Sequence, residues 1–177
     1  KDIFPEESRS FRFIIETARS TAENYGYEEI STPIIESTKV FINTLGEVSD
    51  VVTKEMYTFV DRGGGSITLR PEGTAGIARV VANNSQSQEK PIRYFYQGPM
   101  FRYERPQKGR QRQFHQLGIE ILGEDSFDAD VEVLVLANHI LNELGLKNEV
   151  SLEINSLGDD ESRDNYREHL IQFLNKF

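Results

Sequence analysis

The sequence predicts an α+β fold, an antiparallel β-sheet flanked by helices, and three observations carry that prediction. Segments with apolar residues at helical spacing open and close the chain. Alternating runs between them pair off around polar or glycine-rich connections, as the strands of antiparallel hairpins do. Of the 177 residues, 37% are apolar and 28% charged, the balance of a globular domain rather than a disordered chain. That length suits one domain with a sizeable core.

The elements follow in order. In SRSFRFIIETARSTAENYGY, Phe11, Ile14, Ile15, Ala18, Ala22 and Tyr25 share one helical face, and Gly26 supplies a stop. ISTPIIE comes next, and Pro33 confines it to an edge or interface position, since it has no N–H for a central ladder. MYTFVDRGGGSITLRPE predicts two strands around a glycine-rich turn, TAGIARVVANN a short helix, and SQSQEK a polar loop. PIRYFYQGPMFRYE and FHQLGIEIL predict an antiparallel hairpin with a long connection. FDADVEVLVLANHILNELGL predicts a helix, with Asp128, Asp130 and Glu132 near its positive end and Gly145 closing it. VSLEI alternates as a strand. In ESRDNYREHLIQFLNKF, Tyr166, Leu170, Phe173, Leu174 and Phe177 share a helical face still running at the last residue, as in a fragment of a longer protein.

Several function classes drop out. No apolar run approaches the roughly 18–20 residues that span a bilayer, and no basic-then-apolar leader opens the sequence. With no cysteine there is no disulfide, thiolate metal site or cysteine nucleophile. RGGGS lacks the lysine and the strand–loop–helix setting of a phosphate-binding P-loop and reads as a hairpin turn. His115, His139 and His169 stand far apart, without metal-ligand spacing. A net charge of -9 argues against general adhesion to nucleic acid, but not against a local basic patch.

Such a patch exists. Within FRYERPQKGRQRQFHQLGIE, Arg102, Arg105, Lys108, Arg110 and Arg112 face a single anion, Glu104. Arg102 lies between Phe101 and Tyr103, so it projects from a strand, and Glu104 two residues on shares its face. Phe114, Gln116, Gly118 and Glu120 alternate on the returning strand and present a ring, an amide, a gap and a carboxylate. Arginine forks suit phosphate oxygens, a phenyl ring offers a stacking surface for a purine, and a carboxylate accepts from an exocyclic amine. Together they describe a nucleoside triphosphate held over a sheet under a cationic loop. LRPEGTA places Glu72 and Thr74 at a strand-to-helix junction; taken alone, capping of the helix by Thr74, with Glu72 favoured by its dipole, is the simpler reading.

These residues resemble the class II aminoacyl-tRNA synthetases, and within them the histidyl-tRNA synthetase family. FRYE, the variable loop and FHQLGIE resemble the second class motif; YGYEEISTPIIE resembles the first, with its proline at Pro33. TLRPEGTAG and ERPQKGRQRQFHQLGIE are similar to the histidyl family's own versions, KDIFPEE resembles its amino-terminal segment, and the likeness runs through INSLG to the end. The resemblance implies a partial class II catalytic core that binds ATP and L-histidine on one face of its sheet. It gives Arg102 the α-phosphate and the histidine carboxylate, Glu104 the adenine amine, Phe114 the adenine ring, and Arg110, helped by Arg112, the outer phosphates. It gives Glu72, Thr74 and Gln116 the substrate's α-amino group and Glu120 an imidazole nitrogen. It further implies Mg2+ on the phosphates, tRNA(His) as partner, a cytoplasmic location, and a homodimer with Pro33 at its interface. The third class motif, a histidine-specific segment and the anticodon-binding domain have no counterpart in residues 1–177, so these read as a truncated catalytic domain. The regulatory subunit of ATP phosphoribosyltransferase, which shares the fold without aminoacylation, is the alternative; an intact FRYE, basic loop and FHQLGIE favour the ligase.

Overall fold

A computed structural model of the chain describes residues 2–47, 49–84, 89–105, 107–155 and 158–176. Residues 85–88 of the expected polar loop, and Phe177 of the last helical face, lie outside them. The chain divides into two compact units, residues 1–145 and 146–177.

In the first unit, helix α1 (Pro5–Asn24) starts with proline where the missing N–H has no helical partner to lose, and with Glu6 and Glu7 at its positive end. It ends at Gly26, whose φ of 81° is the left-handed turn that glycine adopts freely. Two three-stranded sheets follow. One has the order β2 (Ile35–Ser37), β4 (Ser66–Leu69), β3 (Tyr57–Val60), antiparallel throughout. The other has the order β1 (Glu28–Glu29), β5 (Ile92–Phe101), β6 (Gln113–Leu122). The long β5–β6 hairpin is antiparallel as predicted, while the two-residue β1 runs parallel to β5. Helices α2 (Thr38–Leu45), α3 (Thr74–Asn84) and α4 (Phe127–Glu143) complete the unit, with a π-helical turn at Val51–Glu55.

The period of two along β5 and β6 sorts their side chains between two cores. On one face Phe95, Leu117, Ile119 and Ile121 pack with Ala18 and Ala22 of α1 and with Leu136 and Ile140 of α4. On the other, Tyr94, Tyr96, Met100, Phe114 and Leu122 pack with Ile77 and Val81 of α3. The small residues of α1 let it lie close to the sheet, while Phe11 and Ile14 of its predicted face stay at 36% and 43% exposure. The smaller sheet is tied by hydroxyls: Thr68, fully buried, contacts the Thr38 and Thr58 hydroxyls at 2.9 Å each. Arg79 of α3 donates to Glu36 of β2 at 2.7 Å, which holds that helix to the same sheet.

Across the first core, Arg93 of β5 forks onto Glu132 of α4, with Nε at 2.7 Å and Nη2 at 2.8 Å. Hydrogen bonding from Arg93 holds the Glu132 carboxyl below the usual glutamate range. A depressed carboxylate contributes stability above its unfolded pKa and loses it as pH falls. Arg93→Met is therefore expected to cost about 1 kcal/mol near neutral pH, for a charge-assisted pair still partly open to solvent. Urea unfolding at pH 7 and pH 3 checks this: the cost should shrink at the lower pH, and an unchanged difference would contradict the assignment.

The second unit contains helix α5 (Asp160–Leu174), capped by Asp159, whose carboxylate accepts from the Ser162 N–H at 2.7 Å. The strand expected at VSLEI is not formed. Residues 150–154 are exposed, carry no regular secondary structure and pair with no strand among the described residues, and alternation without a neighbouring ladder leaves the backbone to water. Tyr166, Leu170, Phe173 and Leu174 of α5 are exposed at 40% or more. No helix of the described residues is long and apolar enough to cross a membrane.

Candidate functional site

The segment from Arg70 to Ala75 carries the chain from β4 into α3 over the β6 face that bears Phe114, Gln116, Gly118 and Glu120. Glu72, only 8% exposed, caps α3 itself: its two carboxylate oxygens accept from the N–H groups of Thr74 (2.6 Å) and Ala75 (2.9 Å). Capping by Thr74 is thus overturned. Its hydroxyl is released and donates to Glu120 Oε1 at 2.6 Å. Beside it, the Gly73 N–H donates to Gln116 Oε1 at 3.2 Å, and Arg102 Nε donates to the Pro71 carbonyl at 2.8 Å. Glu72, Thr74, Arg102, Gln116 and Glu120, up to 48 residues apart in sequence, therefore converge on one surface.

The Arg102 guanidinium lies 5.3 Å from the centroid of the Phe114 ring, a cation–π separation. Among the described residues only its Nε is used, and its terminal nitrogens make no hydrogen bond to them. Glu104 has an oxygen, Oε2, that is buried without a hydrogen bond, although Arg110 Nη1 stands 3.5 Å away. Burying an acceptor unpaired costs roughly 1–3 kcal/mol, a cost that a ligand donor would remove. Arg110, its side chain 63% exposed, stands on a tight turn in which Gln107 and Arg110 form an isolated bridge. Arg112 turns elsewhere: it covers the Tyr103 ring at 4.3 Å, and its Nε reaches the Glu104 carbonyl at 3.4 Å. Tyr103 is itself held by its N–H on the Glu55 carbonyl at 2.7 Å. The basic segment is thus anchored at its root and open at its tip, where Lys108 and Arg110 are exposed.

Beneath Glu120 lies Tyr96, directly opposite Gly118 in the hairpin register. A methyl carbon at Gly73 or at Gly118 would overlap the Tyr96 ring, so the two glycines form the walls of its slot. Burial pushes the Tyr96 hydroxyl up to about 12, and its hydrogen-bonding neighbours are Thr74 and Glu120. Glu120 is shifted upward as well, first by burial and then by the charge of Glu72, against the lowering hydrogen bonds of Thr74 and Tyr96. A raised carboxylate makes its charged form unfavourable to the fold, and that cost appears as pH rises past the unfolded value. Glu120→Gln keeps an oxygen for Thr74 and removes the charge. It is expected to melt higher than the parent at pH 7, with the gain vanishing toward pH 4; a loss of stability at pH 7 would refute this.

Other predicted features fall outside this cluster. Pro33 is exposed, between β1 and the edge strand β2. RGGGS is the β3–β4 turn, with Asp61 accepting from the N–H groups of Gly63 and Gly65 at 2.8 Å each. His115 packs edge-on against Phe11, His139 against Tyr25, and His169 bonds to the Asn165 carbonyl in its own helix. Sequence reasoning missed Tyr96 and Arg70. The hairpin register would have found Tyr96, since pairing YFYQGPM with FHQLGIE sets this large ring against Gly118; Arg70 carries no local signal beyond a cation at the end of a strand.

The fold and this face define a partial class II aminoacyl-tRNA synthetase catalytic core. Residues 1–158 match the family model for histidyl-tRNA synthetase. The chain is 56% identical over 173 residues to the histidine–tRNA ligase of Rhodospirillum rubrum, covering 98% of itself and 42% of that protein. It is 52% identical over 177 residues to that of Wolbachia pipientis, covering 43% of it. Among solved structures, histidyl-tRNA synthetase from S. aureus superposes with a TM-score of 0.69 at 41% identity, over 83% of this chain and 38% of that one. A Bacillus halodurans structure described as an ATP phosphoribosyltransferase regulatory subunit/histidyl-tRNA synthetase gives 0.71 at 32% identity, over 82% and 37%. The chain belongs to the histidyl-tRNA synthetase family, and spans a little over two fifths of the length of these curated relatives.

Proposed function

We propose that the protein carrying this chain is a histidine–tRNA ligase, which activates histidine with ATP and transfers it to tRNA(His). The observation that carries the reading is the placement of Arg102, Phe114, Gln116 and Glu120 on one face with Glu72 and Thr74 seated upon it. Phe114 stacks on adenine, and Glu104 Oε2, which accepts no hydrogen bond although it is ion-paired with Arg110, accepts from its amine. Arg102 directs its terminal nitrogens to the α-phosphate and the histidine carboxylate. Arg110 leaves Glu104 for the outer phosphates, and Arg112 assists. Glu72, Thr74 and Gln116 hold the α-amino group, and Glu120 accepts from an imidazole N–H.

A carboxylate oxygen of histidine then attacks the α-phosphorus, the bond to the bridging oxygen breaks, and pyrophosphate leaves with that electron pair. Two anions must approach, so guanidinium groups on the phosphates offset their repulsion and stabilise the charge of the transition state. Mg2+ on the phosphates would add positive charge there, with water and carboxylate oxygens as its ligands. Selection of histidine rests on Glu120: an analogue without the ring N–H leaves this half-buried carboxylate with the Thr74 hydroxyl but without its ligand donor, and discrimination of that kind reaches about 10^4-fold.

The same reading takes residues 1–177 as the front of a catalytic domain, with the third motif, the histidine-specific segment and the anticodon-binding domain supplied by further chain. Pro33 then lies at a homodimer interface, in a cytoplasmic enzyme. Histidine-dependent ATP–pyrophosphate exchange by the intact protein tests the function. Exchange with histidine and not with other amino acids supports it; none would favour the regulatory alternative. The 177-residue chain alone is expected to show no exchange above background.

A further inference from the structure

We propose that Arg70 is a positioning residue for the adenylation face, a role that rests on the function proposed above. With 6% exposure it is too buried to meet a substrate. It joins three segments by both its main chain and its side chain. Its N–H donates to the Ile34 carbonyl at 2.9 Å, and its carbonyl accepts from the Phe101 N–H at 3.0 Å. Its guanidinium repeats the same bridge one layer away: Nε donates to the Pro99 carbonyl at 3.0 Å and Nη1 to the Thr32 carbonyl at 2.9 Å. The third nitrogen, Nη2, lies against Gly98, where any Cβ would overlap it.

A buried cation partnered by carbonyls instead of a carboxylate is a costly way to join three segments unless their placement matters. Pro71 comes next in sequence, and its carbonyl is the anchor for Arg102 Nε. Glu72 and Gly73 follow and set Thr74, Gln116 and Glu120. The position of the Arg102 fork relative to Phe114 is therefore inherited from how Arg70 seats residue 71 against residues 99–101. Lysine cannot replace it, because one ammonium cannot reproduce the planar fork toward the Pro99 and Thr32 carbonyls.

The test is Arg70→Lys in the intact protein, followed by pyrophosphate exchange and by active-site titration, the stoichiometry of histidyl-adenylate formed per protein. Displacing a catalytic group by about 1 Å can cost 10^2-fold, so kcat/KM for ATP is expected to fall by about that factor. The number of active sites should stay near the parent's. Fewer sites with an unchanged rate per site would mean that Arg70 only supports the fold, and an unchanged rate with unchanged sites would mean that it does nothing; either overturns the proposal. Should Arg70→Lys be recovered unfolded, Arg70→Gln, which keeps a single donor for the Pro99 and Thr32 carbonyls without the fork, is read by the same two measurements. Lack of histidine-dependent exchange in the parent protein would instead refute the function itself, a result separate from both.

Discussion

Arg102→Gln in the intact protein is expected to lower histidine-dependent ATP–pyrophosphate exchange by about 10^3-fold while leaving the fold almost unchanged. The two effects separate because of how the side chain is held. Its structural contacts are one hydrogen bond to the Pro71 carbonyl and the approach to Phe114. Each is worth roughly 1 kcal/mol, so unfolding should move by at most about 2 kcal/mol. Its terminal nitrogens make no hydrogen bond to the described residues, and in the proposed function they meet charge that develops only in the transition state. Removal of one preorganised donor of that kind costs about 10^2–10^3-fold, and loss of the cation with it sets the upper end. Arg102→Lys should recover part of the rate, since the charge returns without the fork. Exchange kinetics beside thermal melts decide the matter: a variant that unfolds, or one within tenfold of the parent rate, would rule out the role given to Arg102.

Gly118→Ala is expected to damage stability and site together. The added methyl would have to share space with the Tyr96 ring, which Gly73 bounds on its other side, so the ring cannot simply move over. Overpacking in a closed slot costs about 1–3 kcal/mol. Here the ring carries the hydroxyl that, with Thr74, surrounds Glu120, so displacing it disturbs the proposed imidazole site as well. The diagnostic is a double variant. Gly118→Ala combined with Tyr96→Leu should regain much of the melting temperature lost by Gly118→Ala, because the two sites share one volume and their effects are not additive. It should not regain histidine-dependent exchange. Additive losses would show that Gly118 is constrained by something other than Tyr96.

The placement of the candidate site's strand residues is largely legible in the sequence, because alternation in a strand is a local property. Phe114, Gln116, Gly118 and Glu120 had to share a face once FHQLGIE was taken as a strand, and β6 is that strand. The cationic loop was visible as a run of charge. The junction was only half legible. LRPEGTA announces a strand ending in a helix, but not that Glu72 caps it and thereby frees Thr74 for Glu120, a choice between side chains two positions apart that depends on a partner 46 residues from Thr74.

The main helices, the two hairpins and the face that carries the candidate site follow from local pattern, since amphipathic spacing and turn residues act over a few positions. Long-range packing sets the rest: 28–29 pair in parallel with β5, 150–154 find no strand among the described residues, and Arg70 binds the carbonyls of residues 32 and 99. In each case the outcome rests on which backbone groups from distant segments meet as partners. A hydrogen bond is satisfied or lost according to that meeting, and no local pattern encodes it.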